Sequence, residues 1–121
     1  METIVIYSGE KCRVIQIDWL LINNMYYYGV KVNLNGFGCG FAAGPINNND
    51  CYLDGRPYPY KESTYKSAIN KALDYLLNYL TNHLNGFCRE DSDINYVQHK
   101  INLVRNYKKE FNNKNTQLTL F

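Results

Sequence analysis

No apolar run in this sequence, Trp19 to Ile22 included, approaches the ~20 residues that a membrane-spanning helix needs. Glu2 stands where a secretory leader would carry positive charge, so a cytoplasmic protein with no membrane partner is expected. The four cysteines, Cys12, Cys39, Cys51 and Cys88, include no Cys-x-x-Cys pair and no compact His/Cys run. Their spacing matches neither the usual zinc nor the usual redox motifs, and reduced thiols are expected. Charge of one sign is scarce as well: thirteen Lys and Arg against eleven Asp and Glu leave a formal +2. That is too little to mark a nucleic-acid protein by itself.

Catalytic patterns are missing too. Asp18, Asp50, Asp54, Glu90 and Asp91 are present, but no two are spaced to bring carboxylates across a shared cleft. Gly38-Cys39-Gly40-Phe41-Ala42-Ala43 satisfies Gly-x-Gly-x-x-Ala after a predicted strand, yet Gly44-Pro45 and an asparagine loop follow it. A dinucleotide site needs a helix N-terminus there to hold the pyrophosphate. Those glycines are read instead as a bulge or as relief of crowding. A metal would need Cys39, Cys51, His83, Cys88 or His99 to converge from separate elements. The chain is therefore expected to be no enzyme and to carry no cofactor and no metal.

What is present is a sheet-then-helix pattern in 121 residues, a length that fits one domain. Seventeen asparagines, twelve tyrosines and nine lysines against four arginines suggest an AT-rich coding sequence. Residues 3 to 7 are β-branched and aromatic and lead to a Ser8-Gly9 turn. From Cys12 to Ile22, Ile15, Ile17, Trp19 and Leu21 alternate with Gln16 and Asp18, the pattern of a half-buried strand. Asn23-Asn24 can supply the positive φ angles of a two-residue hairpin. The next strand puts Tyr26, Tyr28, Val30, Val32 and Leu34 on one face and Tyr27, Gly29, Lys31 and Asn33 on the other. Asn35-Gly36 predicts a further hairpin into a fourth strand through Phe37, Cys39 and Phe41. Residues 44 to 61, which hold all three prolines, read as a loop.

Beyond that loop, Ile69, Ala72, Leu73, Leu76, Leu77, Leu80 and Leu84 recur at helical intervals after a start at Glu62 or Ser63, and Gly86 closes the helix. A second helix is expected from a Ser92 or Asp93 cap, with Ile94, Val97, Ile101 and Val104 on one stripe, fraying after Phe111. The expected fold is α+β, a four-stranded antiparallel meander with two C-terminal helices packed on one face. Residues 1–111 form the domain and residues 112–121 a flexible tail.

The basic residues gather late in the chain. From residue 94 onward Lys100, Arg105, Lys108, Lys109 and Lys114 face only Glu110. Along one helix they would neutralise phosphates, with Tyr27 beside Lys31, and Tyr52, Arg56, Tyr58 and Tyr60 in the loop, stacking on unpaired bases. DNA is therefore a candidate partner. The competing expectation is a solvated helix face and half-buried tyrosines.

The final five residues, Gln117-Leu118-Thr119-Leu120-Phe121, match Gln-Leu-x-Leu-Phe at four specified positions. Such a match arises by chance on the order of once in 10⁴ to 10⁵ chains at average usage. It resembles the peptide with which bacterial DNA polymerases, mismatch-repair proteins and many phage and plasmid proteins bind the β sliding clamp. The resemblance implies Leu118, Leu120 and Phe121 as apolar anchors and Gln117 as the polar register. Thr119 replaces the commoner Ser or Asp at the variable position. Residues 36 to 80, with Tyr60, Ser63, Tyr65, Ser67 and Ala68 opening the helix, are similar to small modules of phage and plasmid proteins that handle DNA. Together these imply a non-enzymatic replication or repair accessory of a mobile element, bound to the clamp as monomer or homodimer. The alternative is an adaptor or inhibitor of a host factor, its tail serving only localisation or folding.

Overall fold

Three strands rich in β-branched and aromatic residues begin the chain: β1 (Glu2–Ser8), β2 (Val14–Ile22) and β3 (Met25–Asn33). A two-residue β4 (Lys61–Glu62) joins them, and two helices follow, α1 (Tyr65–Phe87) and α2 (Asp91–Thr119). The sheet is antiparallel in the order β1-β2-β3-β4, so the fold is α+β as the sequence pattern predicts. The structure, a computed structural model, describes residues 2–34 and 61–119, with the backbone alone at Phe87 and residues 115–119. It falls into two compact units, Met1–Ala72 and Leu73–Phe121.

In the first unit the alternation of β2 and β3 fixes their register. Ile15 lies opposite Val32, and Ile17 opposite both Val30 of β3 and Ile4 of β1. Ile15, Ile17, Val32 and Leu34 are fully buried, each worth roughly 1.5–3 kcal/mol. A one-residue slip would turn this whole row to the other face, so the pairing is strongly specified. Asn23 and Asn24 make the tight hairpin with φ of 51° and 67°, the paired left-handed residues that match strand twist.

The β1–β2 connection is longer than the expected Ser8-Gly9 turn. The Gly9 N–H donates to the Arg13 carbonyl at 2.8 Å, and the Arg13 N–H to the Glu10 carbonyl at 3.1 Å. Lys11 and Cys12 take positive φ of 56° and 62°. A Cβ at Gly9 would meet the Tyr7 hydroxyl and ring, so a larger residue there needs the Tyr7 side chain to shift. The register shifts between Val5 and Tyr7, a bulge in the strand that ends the sheet.

The strand expected through Phe37, Cys39 and Phe41 lies outside the described residues. The fourth strand that the structure supplies is β4, where Glu62 pairs with Tyr26 and Lys61 with Tyr27. Two residues show no periodicity, so sequence pattern could not reveal this strand. Its presence moves the helix start to Tyr65. Thr64 is the cap: its Oγ1 accepts the Ser67 N–H at 3.1 Å and its carbonyl the Ala68 N–H at 3.0 Å. Ala68, Ile69 and Ala72 then bury the inner side of this first stretch of α1.

In the second unit the remainder of α1 buries Leu73, Leu76 and Leu80, at the predicted spacing. α2 starts earlier than expected, with the Glu90 carbonyl accepting the Ile94 N–H at 3.0 Å. Asp91 and Asp93 occupy its first turn, where the helix dipole favours negative charge. Val97, Ile101, Val104 and Phe111 form the buried stripe. The helix does not end after Phe111 but continues to Thr119, through the expected tether and three residues of the terminal pentapeptide. No glycine or proline occurs between Asp91 and Thr119 to stop it, and asparagine disfavours helix by only a few tenths of a kcal/mol. Leu120 and Phe121 lie outside the described residues.

Candidate interaction surfaces

The helix α2 divides the five late cations into different environments. Lys100 is 6% exposed, its Nζ 4.5 Å from the centre of the Tyr96 ring and 3.4 Å from His99 Nδ1. Burial holds its ammonium below the usual lysine range. Lys100 is thus a core-lining lysine rather than the phosphate contact expected of it. Lys108 is ion-paired to Asp74 of α1, an exposed pair. Arg105, Lys109 and Lys114 are exposed. At about 100° per residue, Arg105 and Lys109 share a face and Lys114 is turned well away from it.

That shared face is populated by amides. Asn95, Asn102, Asn106 and Asn113 are exposed along it, with Gln98 half-buried. Gln98 Nε2 donates to Asn102 Oδ1 at 3.2 Å. Asp91 precedes this stretch, and Glu110, the one carboxylate between Asn95 and Asn113, borders the face about 40° from Asn106 and about 100° from Lys109. Among the described residues, Arg105 and Lys109 have no ion-pair partner, in contrast to Lys71, paired to Glu62 at 3.8 Å, and Lys108.

On the sheet, Lys31 is exposed but Tyr27 is only 8% exposed. Tyr27 lies on an interior strand, between Leu20 of β2 and Lys61 of β4, and is not the exposed stacking ring expected from sequence. The same face carries a polar cluster that sequence reading missed. Asp18, 8% exposed, accepts hydrogen bonds at one oxygen from Thr3 Oγ1 and Gln16 Nε2, both at 2.9 Å. Its cross-strand neighbour is Gly29, which offers no side chain. The available signal was the i, i+2 placement of Gln16 and Asp18; the Thr3 partner needed the register. A carboxylate fixed by neutral donors, with no second acid or cysteine bonded to it among the described residues, serves packing better than chemistry.

On the opposite face of the sheet Trp19, Tyr26 and Tyr65 form an aromatic cluster. The centroid separations are 5.8 Å for Trp19–Tyr26, 5.0 Å for Trp19–Tyr65 and 5.9 Å for Tyr26–Tyr65, with inclined rings. Such rings stabilise one another through their inclined contacts. Leu21, 49% exposed, continues the strand face beyond Trp19.

His83, Cys88 and Asp93 sit near the turn between the helices. Burial lowers the His83 pKa, with Asp93 pulling it partly back. Burial raises the Cys88 pKa, and the Asp93 charge raises it further, so the thiol stays protonated and poorly nucleophilic. Among the described residues no cluster of three or more His, Cys, Asp and Glu side chains is arranged to hold a metal. Nor is any described helix long and apolar enough to cross a membrane. Gln117 and Leu118 belong to α2 through their backbone, while Cys39, Cys51, Tyr52, Arg56, Tyr58 and Tyr60 lie outside the described residues.

These features define an α+β protein that offers a polar helix face and, among the described residues, a sheet that ends at β1. Comparison with protein-family models, curated proteins and solved structures found no match to the chain. Function is therefore argued from the residues themselves.

Proposed function

We propose that the protein is a small non-enzymatic accessory of DNA replication or repair, of the kind carried by phages and plasmids, that docks on the bacterial β sliding clamp. The observation that carries this reading is the pentapeptide Gln117-Leu118-Thr119-Leu120-Phe121. Leu118, Leu120 and Phe121 enter apolar pockets and Gln117 hydrogen-bonds at the rim. Each anchor contributes roughly 1.5–3 kcal/mol before ordering costs, which leaves affinity on the order of micromolar. A ring with several sites, or DNA held at the same time, raises the effective strength.

Because α2 reaches Thr119, docking in an extended form unwinds its last turns. Asn112, Asn113, Asn115 and Thr116 are weak helix formers, so that unwinding costs a few tenths of a kcal/mol per residue, less than the anchors return. A synthetic peptide of residues 112–121 should displace the full chain from a purified clamp. A peptide with both Leu120 and Phe121 changed to alanine should not. Failure of both, or success of both, removes the support for this reading.

A second reading, strand addition to a host factor, is favoured by β1, which among the described residues ends the sheet, with Val5 53% exposed. Its bulge at Val5–Tyr7 blunts that edge, and the clamp reading is preferred.

A further inference from the structure

Four exposed polar side chains, Asn102, Arg105, Asn106 and Lys109, lie on one face of α2 with i, i+3, i+4, i+7 spacing. They span about 10 Å of helix axis, close to three base-pair steps. Asparagine matches the N6/N7 edge of adenine and arginine the O6/N7 edge of guanine, each through two hydrogen bonds. Neither cation on this face is neutralised by an ion pair among the described residues, and the one carboxylate between Asn95 and Asn113, Glu110, borders the Asn106 side of the face, about 100° from Lys109. A helix about 10–12 Å across fits the major groove, which is of similar width.

We infer that this face of α2 docks in the major groove of duplex DNA, with Asn102, Arg105 and Asn106 on base edges and Lys109 on phosphate. The structure changes the set of contacts from the one composition suggested. Lys100 is buried and Lys108 is engaged with Asp74, so the interface carries few charges and many amides. Such an interface gains modest affinity from phosphates and most of its discrimination from base edges. The inference is independent of clamp docking, because it uses no residue of the terminal pentapeptide.

The test is selection of the full chain against a pool of random-sequence DNA duplexes at low salt, with anisotropy titrations on the enriched duplex. The chain should enrich a core of about three or four base pairs. N102A/N106A should lose at least tenfold of the preference for that core over random duplex. R105A/K109A should weaken binding at least tenfold, and its slope of log K against log salt should be shallower by about 1, as for the one phosphate contact that Lys109 makes. These positions are exposed, and circular dichroism checks that the helix persists. L120A/F121A should bind the duplex as the unaltered chain does, which separates this result from any failure at the clamp. Absence of duplex binding, absence of enrichment, preference for single strands, or indifference to both double substitutions would each overturn the inference.

Discussion

The Lys100 ammonium lies 4.5 Å over the centre of the Tyr96 ring, one helical turn before it on α2, in a side chain that is almost wholly buried. This relationship takes the first of the late cations out of the solvent-facing set. Because burial lowers its pKa, the unfolded chain binds more protons than the folded chain between the folded value and the ordinary 10.5. Stability therefore rises with pH across that interval and is depressed below it. Lys100→Met should raise stability at neutral pH and remove this rise, as read by urea unfolding near neutrality and again near the ordinary lysine value. DNA affinity should not change.

His83 gives an acid counterpart. Its pKa is lowered from 6.5, chiefly by burial, so the folded state takes up its proton less readily than the unfolded state. The contribution is neutral above 6.5 and becomes destabilising as pH falls through and below that value. His83→Gln should flatten the loss of stability on acidification. Asp93→Asn, by removing the charge that partly offsets burial, should steepen it. Thermal midpoints measured across the acid limb distinguish the two variants from the parent.

The Thr64 cap offers a local test of where α1 begins. Thr64→Ala leaves the Ser67 N–H without its side-chain acceptor and should cost about 1 kcal/mol, whereas Thr64→Ser should stay within a few tenths. If instead Ser63→Ala is the costlier change in chemical denaturation, the helix starts earlier than described.

Much of this fold was legible before any coordinates. The alternation of Ile15, Ile17 and Trp19, the Asn23-Asn24 turn and the leucine spacing of α1 each reflect a local period or a local φ requirement, which sequence displays directly. β4 was not legible, because two residues carry no period, and the burial of Tyr27 depended on β4 and on an interior strand position. The Thr3–Asp18 hydrogen bond likewise required register across strands. Two differences were present in the sequence and under-read. Lys100 falls between Val97 and Val104 on the apolar stripe, where a long aliphatic stem can pack along the core. The run from Asp91 to Thr119 contains no residue that stops a helix.

Clamp docking requires the terminal side chains Leu120 and Phe121 to insert into the clamp. Titration calorimetry of the full chain into a purified bacterial β clamp, alongside L120A/F121A, tests it most directly. The parent should bind on the order of micromolar and the double variant at least tenfold more weakly. Equal affinities, or no heat from either chain, would contradict it.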